Sequence, residues 1–272
     1  SYWMLAKLAA REGKNQLAED HFAKAAKLGP ITPRFLVDFL SFRKSTSDSS
    51  FERISLDALT LRSSQRNLVA LFTQCFDGNN TACLDTFVDL SNELKADPFI
   101  LYRKGVAHHW LNQLSQKYEA WMAALESARA RGDLEMEAFL LNVLSAIDPS
   151  IERQSSLLEN AIQIAEHIGD ADLLGDLIGQ KARLHLDSNE FDIAGELFQQ
   201  ATETAAARRK FFYAAQWSRE YGVLLVRIDR FAAALLTFQR AEAFAQQAAS
   251  GADQIRTRIL ISQAQLLSLI HI

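Results

Sequence analysis

Histidine and acidic residues are the first groups in this chain that could do chemistry, because imidazole and carboxylate groups bind metal ions. Two of the six histidines, His108 and His109, are adjacent, and neighbouring side chains on a helix point about 100° apart. They cannot easily hold one ion together. No histidine belongs to a His-Glu-x-x-His arrangement, and His185 with Asp187 lies at a predicted helix end, where capping is more common. We therefore expect no metal site.

Nucleophiles and phosphate-binding loops are the next candidates, and neither pattern is complete. There is no Gly-x-Ser-x-Gly turn, and neither cysteine belongs to a recognisable catalytic signature. Gly175 and Gly179 lie inside a predicted helix, without the Gly-Lys-Ser/Thr that a phosphate loop requires. Glu135 and Glu137 fall at a helix start, where acidic residues interact favourably with the helix dipole. We expect no catalytic residues, no cofactor and no enzymatic activity.

Cys75 and Cys83 flank the turn sequence Asp77-Gly78-Asn79-Asn80, so they could face each other across a helical hairpin. Two cysteines are too few for a disulfide framework, and free cysteine is commonly buried. We therefore favour two buried thiols over a bridge. Because the N-terminus shows no signal-peptide pattern, we also expect a cytoplasmic protein.

The composition narrows the class of protein. Hydrophobic residues make up 49% and charged residues 23% of the 272 residues, and the net charge is −4. This balance is typical of a folded globular protein. The longest basic run is only Arg208–Lys210, so we expect no direct contact with nucleic acid. No stretch approaches the roughly 20 apolar residues of a membrane span. Only 4 prolines and 11 glycines interrupt the chain, which favours long helices.

An internal repeat provides the strongest structural signal. Residues 191–201 and 231–241 share Phe, Ala, Phe and Ala at offsets 0, 3, 7 and 10, with weaker copies from Ile151 and Tyr118. These offsets form one stripe on an α-helix, and alanine lets a neighbouring helix approach closely. Another helix fits between successive copies, so each unit is a helix pair that needs neighbours on both sides, as in a solenoid.

The stripe makes a prediction about packing. Four alanines should be almost fully buried: Ala194, Ala201, Ala234 and Ala241. Phe198 and Phe238 should contact the first helix of their own or the next pair.

The pattern resembles the tetratricopeptide repeat, in which small residues recur at fixed offsets in two antiparallel helices. The first pair carries the resemblance best, through Tyr2, Leu5, Ala6, Gly13, Ala18, Phe22, Ala25 and Pro30. Pro98 repeats the role of Pro30, while Gly105, Ala182 and Gly222 hold the small position of later first helices. The later spacing is 40 residues where the standard repeat has about 34. Longer units of this kind resemble those in regulatory arms of bacterial signalling proteins.

The resemblance implies an all-α fold, a right-handed α-solenoid of antiparallel helix pairs with about fifteen helices and no sheet. We expect N-terminal repeat-like helices over residues 1–95, irregular after residue 33, and repeats spaced by 33–40 residues over 96–266. Within the irregular part, helices are predicted over Arg34–Phe42, Phe51–Leu61, Gln65–Phe76 and Ala82–Leu94. Residues 267–272 resemble the translation of a transposon adaptor, and the chain does not begin with Met. We therefore expect a fragment with a non-native tail.

In proteins of this type the first helix of each pair lines a concave, partner-binding face. Aromatic and arginine side chains are typical interface anchors, and the predicted partner-binding residues are Tyr102, Arg103, His109, Trp110, Arg183, Arg219 and Arg227. We expect them to remain partly exposed without structural partners and to suit an acidic or aromatic protein or peptide segment. The lysine and asparagine clamp of chaperone-binding tetratricopeptide domains is absent. The matching positions hold Trp3 and Lys7, then Tyr102 and Val106, then Arg219 and Val223.

Two functions follow from the resemblance. The first is a protein–protein interaction scaffold that binds a peptide or helix on the concave face. The alternative is the regulatory or sensor arm of a larger bacterial signalling or transcription-regulatory protein whose output domain is not part of this sequence.

Overall fold

The computed structural model describes residues 2–11, 14–28, 32–46, 63–248 and 250–270. Fifteen helices and no strand occur in these residues, which confirms the all-α prediction. The helices are α1 (Tyr2–Arg11), α2 (Asn15–Leu28), α3 (Pro33–Thr46), α4 (Ser63–Phe76), α5 (Asn80–Val88), α6 (Asn92–Lys95), α7 (Pro98–Trp110), α8 (Leu114–Arg131), α9 (Leu134–Ser145), α10 (Ile151–Ile168), α11 (Ala171–Asp187), α12 (Phe191–Ala207), α13 (Phe211–Arg227), α14 (Phe231–Gln247) and α15 (Gly251–Ile270).

The chain forms two compact units, Ser1–Arg131 and Gly132–Ile272. Consecutive helices pack as pairs, α1 on α2 and α7 on α8 in the first unit, α9 on α10, α11 on α12 and α13 on α14 in the second. We call α9, α11, α13 and α15 the first helices of the second unit, and α10, α12 and α14 its second helices. The compact units divide the chain at a different point from the predicted repeat boundary at residue 95.

Regular turns set the length of the repeat in the second unit. The residues Gly169, Asn189, Arg209 and Asp229 adopt left-handed backbone conformations and follow one another at equal intervals. Each ends a helix in the same way; for example, the Glu190 N–H donates to the His185 carbonyl (2.9 Å), as in a Schellman motif. One helix together with its turn thus makes up half of a repeat. Two helices with their turns account for the 40-residue spacing between the copies of the stripe.

The predicted packing of the repeated stripe is confirmed. Its four alanines are completely buried. The Phe198 ring of α12 stacks on Trp217 of α13, with centroids 6.3 Å apart, and Phe238 of α14 lies against Gly222 of α13. The copy of the stripe on α8 is less buried at its first position, where Tyr118 is 41% exposed.

Three glycines make room for large aromatic side chains at helix crossings. A Cβ atom on Gly105 would lie 2.2 Å from Trp121, and one on Gly222 would lie 2.4 Å from Phe238. Gly179, which the sequence showed only as a helical glycine, meets Trp217 at 2.2 Å. Real Cβ atoms do not approach other atoms so closely, so at each crossing an aromatic ring occupies the place of a side chain.

The first unit departs from the regular pattern. Asp38 of α3 accepts a hydrogen bond from the Trp3 indole (2.9 Å) and pairs with Lys7 (3.1 Å), which ties α1 to α3. The single helix predicted over Ala82–Leu94 is wrong, because α5 ends at Val88 and Ser91 caps a separate short helix, α6. The predicted helix Phe51–Leu61, together with Gly13 and Pro30, lies outside the described residues.

A disulfide bond joins Cys75 of α4 to Cys83 of α5, with Cα atoms 5.0 Å apart. The favoured prediction of two free thiols is therefore wrong, and the bridge across the hairpin is correct. The sequence pattern could not decide this, because it indicated the turn between the cysteines but not the separation of the two helices.

Reduction of this disulfide should lower the free energy of unfolding by about 2–3 kcal/mol, because opening a closed loop this short returns conformational entropy to the unfolded chain. Chemical denaturation with and without a reducing agent measures the change. The Cys75→Ala/Cys83→Ala variant is the control, since its midpoint should not respond to the reductant. An unchanged wild-type midpoint would contradict the prediction.

Candidate partner-binding surface

Four of the predicted partner-binding residues lie on α7, and they divide into two kinds. Tyr102 is half-buried: its ring stacks on Trp121 with centroids 6.2 Å apart, and its backbone carbonyl accepts a hydrogen bond from the Trp121 indole (3.1 Å). Burial raises the pKa of Tyr102 and lowers the pKa of its neighbour Arg103, each opposed by the charge of the other. Tyr102 therefore helps to hold α7 against α8.

His109 and Trp110 are exposed at the end of α7. The two rings meet edge to face at 5.5 Å, and Trp110 is 70% exposed. Leu114 and Tyr118, one turn apart on the next helix, are also exposed. Leu114 was not predicted to be functional, and Tyr118 was predicted to begin a copy of the repeated stripe, although the i, i+4 spacing places both on one face of α8. The α7–α8 hairpin thus presents several apolar side chains to solvent.

Arg183 of α11 has a structural partner. Its Nη2 atom lies 2.6 Å from the Glu220 Oε1 atom of α13, and its guanidinium lies over the Trp217 ring at 5.6 Å. Trp217 is completely buried, so Arg183 covers the edge of the core while its charge is neutralised by Glu220. The expectation that this arginine lacks a partner is wrong.

Arg219 of α13 has an even more enclosed partner. Its Nη1 atom lies 3.1 Å from Asp253 Oδ1 on α15, and only 14% of the Arg219 side chain and 7% of the Asp253 side chain are exposed. The Ser250 hydroxyl also donates to Asp253 (2.6 Å), and Arg256 lies 3.8 Å from it. The prediction that Arg219 lacks a structural partner is wrong, because its position faces the next first helix, although the residue is partly exposed as expected.

Arg227, at the end of α13, is exposed. In the part of the chain that the structure describes, no ion pair involves its guanidinium. Of the three arginines predicted for the second unit, Arg227 therefore matches the expected environment.

A group of acidic and aromatic side chains near the N-terminal ends of α11 and α13 was not predicted. Asp176 accepts a hydrogen bond from Asn142 of α9 (3.3 Å), and Asp172 pairs with Lys210 (2.9 Å). Burial raises the pKa of Asp176, opposed by the Asn142 hydrogen bond and the charge of Arg183. Burial and the two carboxylates likewise raise the pKa of Tyr213, which is still 41% exposed.

These pairs share a sequence spacing that could have revealed them. Contacts between successive first helices join residues 34 to 38 positions apart, as in Asn142–Asp176, Arg183–Glu220 and Gly179–Trp217. Each of these separations is slightly shorter than the 40-residue repeat. The contacting residue on the next first helix therefore lies slightly before the equivalent position in the repeat. A search for opposite charges at this spacing would have found Glu220.

Replacing Asp176 by Asn should raise the melting temperature at neutral pH. The raised pKa means that the folded state binds a proton more tightly than the unfolded chain, whose aspartate has a value near 3.8. The ionised carboxylate therefore costs stability above the raised pKa, and this cost disappears as the pH falls below the unfolded value. The asparagine carbonyl can still accept from Asn142.

Thermal unfolding of wild type and Asp176→Asn at pH 7 and pH 4 measures this effect, and the difference between the proteins should shrink at the lower pH. Asp172→Asn, at an exposed position on the same helix, is the control and should change little. A lower melting temperature for Asp176→Asn at pH 7 would contradict the prediction.

A shallow depression of about 480 Å³ lies at the helix ends in the same unit. Its lining includes Glu190, Asp192, Phe191, Ile228 and Arg230. None of the predicted partner-binding residues lines it. Among the described residues, no group of three or more potential metal ligands is gathered, and no helix is long and apolar enough to cross a membrane.

Comparison with known proteins gives likenesses of structure only. No protein-family model matches the chain, and no curated protein matches it. Among solved structures, it is similar to BtubC from P. vanneervenii, at 15% identity over 76% of this chain and 85% of that one, with a TM-score of 0.57.

Two further structures match 98% of the chain. A Rap protein complexed with competence and sporulation factor is 11% identical, with 85% of its chain covered and a TM-score of 0.64. A signal transduction ATPase with numerous domains and a tetratricopeptide repeat sensor, from Pyrococcus horikoshii, is 13% identical with a TM-score of 0.65, and this chain covers 47% of it. At these identities the likeness concerns the fold.

Proposed function

We infer that this chain, a tetratricopeptide-like helical repeat protein with an all-α solenoid fold, is a protein-interaction domain that binds a peptide or helix on the face of its first helices. The observation that carries this proposal is a set of polar side chains fixed between successive first helices of the second unit. Asp176, Arg183 and Glu220 belong to this set, and none of the three is fully buried.

Fixed polar groups favour binding because less conformational entropy is lost when a partner arrives. Arg183 and Glu220 hold each other at 2.6 Å, and Asn142 holds Asp176, so hydrogen-bonding groups stand ready in defined positions. A carboxylate kept in a site that raises its pKa is a common feature of functional sites. Tyr213 beside it offers an amphipathic ring, a side-chain type enriched at binding hot spots.

The chemistry of the partner differs in part from what the arginine pattern predicted. Glu220 and Asp253 neutralise Arg183 and Arg219, so the preference for an acidic partner depends on Arg227 in this unit. At the N-terminal ends of the same helices, Asp176 offers the opposite charge beside the Tyr213 ring, whereas Asp172 is paired with Lys210. We propose a peptide segment with a basic side chain near Tyr213 and an acidic one near Arg227.

In the first unit, the proposal assigns direct contact to His109 and Trp110. Tyr102 and Arg103 are assigned to positioning, because both are half-buried and Tyr102 packs on Trp121 of α8. Leu114 and Tyr118 join His109 and Trp110 as candidate anchors.

Peptide selection tests the proposal. Peptides selected from a random library against the whole chain should bind Tyr213→Ala and Arg227→Glu at least about tenfold more weakly than wild type. Glu203→Ala, at an exposed position on the second helix α12, is the matched control and should bind as wild type. Equal losses for all three variants, or none for the first two, would contradict the assignment of this face.

The sensor arm of a larger signalling protein is the second candidate. It is supported by the likeness to the tetratricopeptide repeat sensor of the signal transduction ATPase, of which this chain covers 47%. If it is correct, the peptides selected above should change the activity of an output domain encoded next to this segment in the natural gene, and Tyr213→Ala should abolish that response.

A further inference from the structure

The depression of about 480 Å³ in the second unit lies between two neighbouring turns, the one that joins α11 to α12 and the one that joins α13 to α14. Its volume is within the range of small-molecule sites. Phe191, Ile193 and Ile228 give it an apolar surface, and Ile193 is 46% exposed. Charged side chains line it as well, so a ligand there would meet both apolar and charged groups.

Two opposite charges in this lining have no partner in the part of the chain that the structure describes. Asp192 and Arg230 both line the depression, but they form no ion pair with each other, and neither side chain forms an ion pair or hydrogen bond with another described residue. The remaining carboxylate, Glu190, is bound by the His185 Nδ1 atom. The depression therefore offers one carboxylate and one guanidinium to a ligand.

Arg230 lies where a positive charge is locally unfavourable. It directly precedes α14, whose first turn has no side-chain cap, and the N-terminal end of a helix carries partial positive charge. Lys210 holds the same place before α13, but Asp172 pairs with it at 2.9 Å. Departures from local rules without internal compensation are expected at functional positions. A ligand anion would give Arg230 the partner that Lys210 has in Asp172.

The lining differs from the equivalent positions one helix pair earlier. There, Arg153 takes the place of Ile193, and Ser188 takes the place of Ile228. The Arg153 Nε atom lies 3.0 Å from the Asp148 Oδ1 atom, so that arginine is paired within its own turn. Apolar side chains beside unpaired charges are therefore a feature of this depression and not of the repeat in general.

We propose that the depression binds a small zwitterion with an apolar side chain, the size of an amino acid or a dipeptide. Its carboxylate pairs with Arg230, because a planar guanidinium suits bidentate carboxylate binding. Its ammonium group pairs with Asp192, and its side chain lies on Ile193 and Ile228. A ligand with a single charge would leave one of the two charged side chains without a partner. The site is separate from the polar face of the first helices, so the two can be tested independently.

Isothermal titration calorimetry of the full chain with L-leucine and with the dipeptide leucyl-leucine tests the proposal. We expect saturable binding of at least one, and the tighter ligand shows which length the site takes. Arg230→Gln and Asp192→Asn should each weaken binding at least about tenfold, because each removes hydrogen bonds between charged groups. Both residues are exposed, so circular dichroism should show unchanged helicity. The matched controls, Arg209→Gln and Glu196→Gln, alter exposed residues outside the depression and should bind as wild type.

Derivatives of the tighter ligand separate the two charged contacts. The C-terminal amide lacks the carboxylate and should bind Arg230→Gln as it binds wild type, but more weakly than the zwitterion does. The N-acetyl derivative lacks the ammonium group and should bind Asp192→Asn and wild type equally. Absence of saturable binding for both zwitterions would overturn the proposal. Equal losses in the control variants, or a derivative that binds wild type as tightly as its zwitterion, would also overturn it.

Discussion

Substitution of Gly179 by alanine should destabilise the second unit by about 3 kcal/mol, at the upper end of what overpacking a core costs. The added Cβ atom would lie 2.2 Å from the ring of Trp217, which is completely buried and cannot swing into solvent. The loss should occur although alanine favours a helix over glycine by about 1 kcal/mol. Chemical denaturation monitored by circular dichroism measures the change.

Gly195→Ala is the matched control, because Gly195 is also buried within a helix. Its Cβ atom would meet only the Tyr221 ring edge at 3.3 Å, so the gain in helix propensity should leave stability unchanged or higher. Trp217→Phe should rescue part of the Gly179→Ala loss. Among the described residues, the Trp217 indole N–H has no hydrogen-bond acceptor, so the replacement breaks no hydrogen bond. Equal stability of both alanine variants would contradict this packing.

Removal of the Arg219 side chain should cost about 3 kcal/mol, within the range for breaking a buried ion pair by deleting one partner. The loss arises because Asp253, 7% exposed, would keep a charge with less compensation. Ser250 and Arg256 still contact that carboxylate, which places the expected cost at the low end. Thermal and urea unfolding of Arg219→Ala measure it.

Arg183→Ala provides the comparison, since 43% of its side chain and 22% of the Glu220 side chain are exposed. Pairs near the surface contribute at most about 1 kcal/mol, and Arg183 also covers the Trp217 ring, so this variant should lose some stability but less than Arg219→Ala. The double variant Arg219→Met/Asp253→Leu should recover most of the Arg219→Ala loss, because two matched apolar side chains leave no unpaired charge. Similar stabilities for Arg219→Ala and Arg183→Ala would contradict the assignment of a buried pair.

The sequence was sufficient to predict helix pairs and their core, because both depend on local periodicity that recurs. The Phe and Ala offsets place Phe198 and Ala201 on one face of a helix whatever surrounds them, and the repeat supplies the neighbour. Ala201 is completely buried in agreement with this argument. Gly222 was likewise predicted as a small position, and its contact with Phe238 confirms it.

The environment of the arginines could not be predicted in the same way. Whether Arg219 faces solvent or the next first helix depends on the crossing of two helices that are distant in sequence, and helical periodicity alone does not fix that crossing. The same reason explains the missed neighbours of Tyr213, since Asp172 and Asp176 approach it from another helix. The disulfide between Cys75 and Cys83 also depends on a distance between helices.

The constant step between the left-handed turn residues, from Gly169 to Asp229, has a consequence for how such a chain can change in length. Loss or duplication of a whole helix pair keeps every first helix beside other first helices, although individual contacts such as Gly179–Trp217 and Arg219–Asp253 differ from one pair to the next. Loss of a single helix with its turn would instead place every following first helix in the position of a second helix. Its glycines would then no longer face an aromatic side chain. We therefore expect insertions and deletions of an even number of helices to disturb the fold less than those of an odd number.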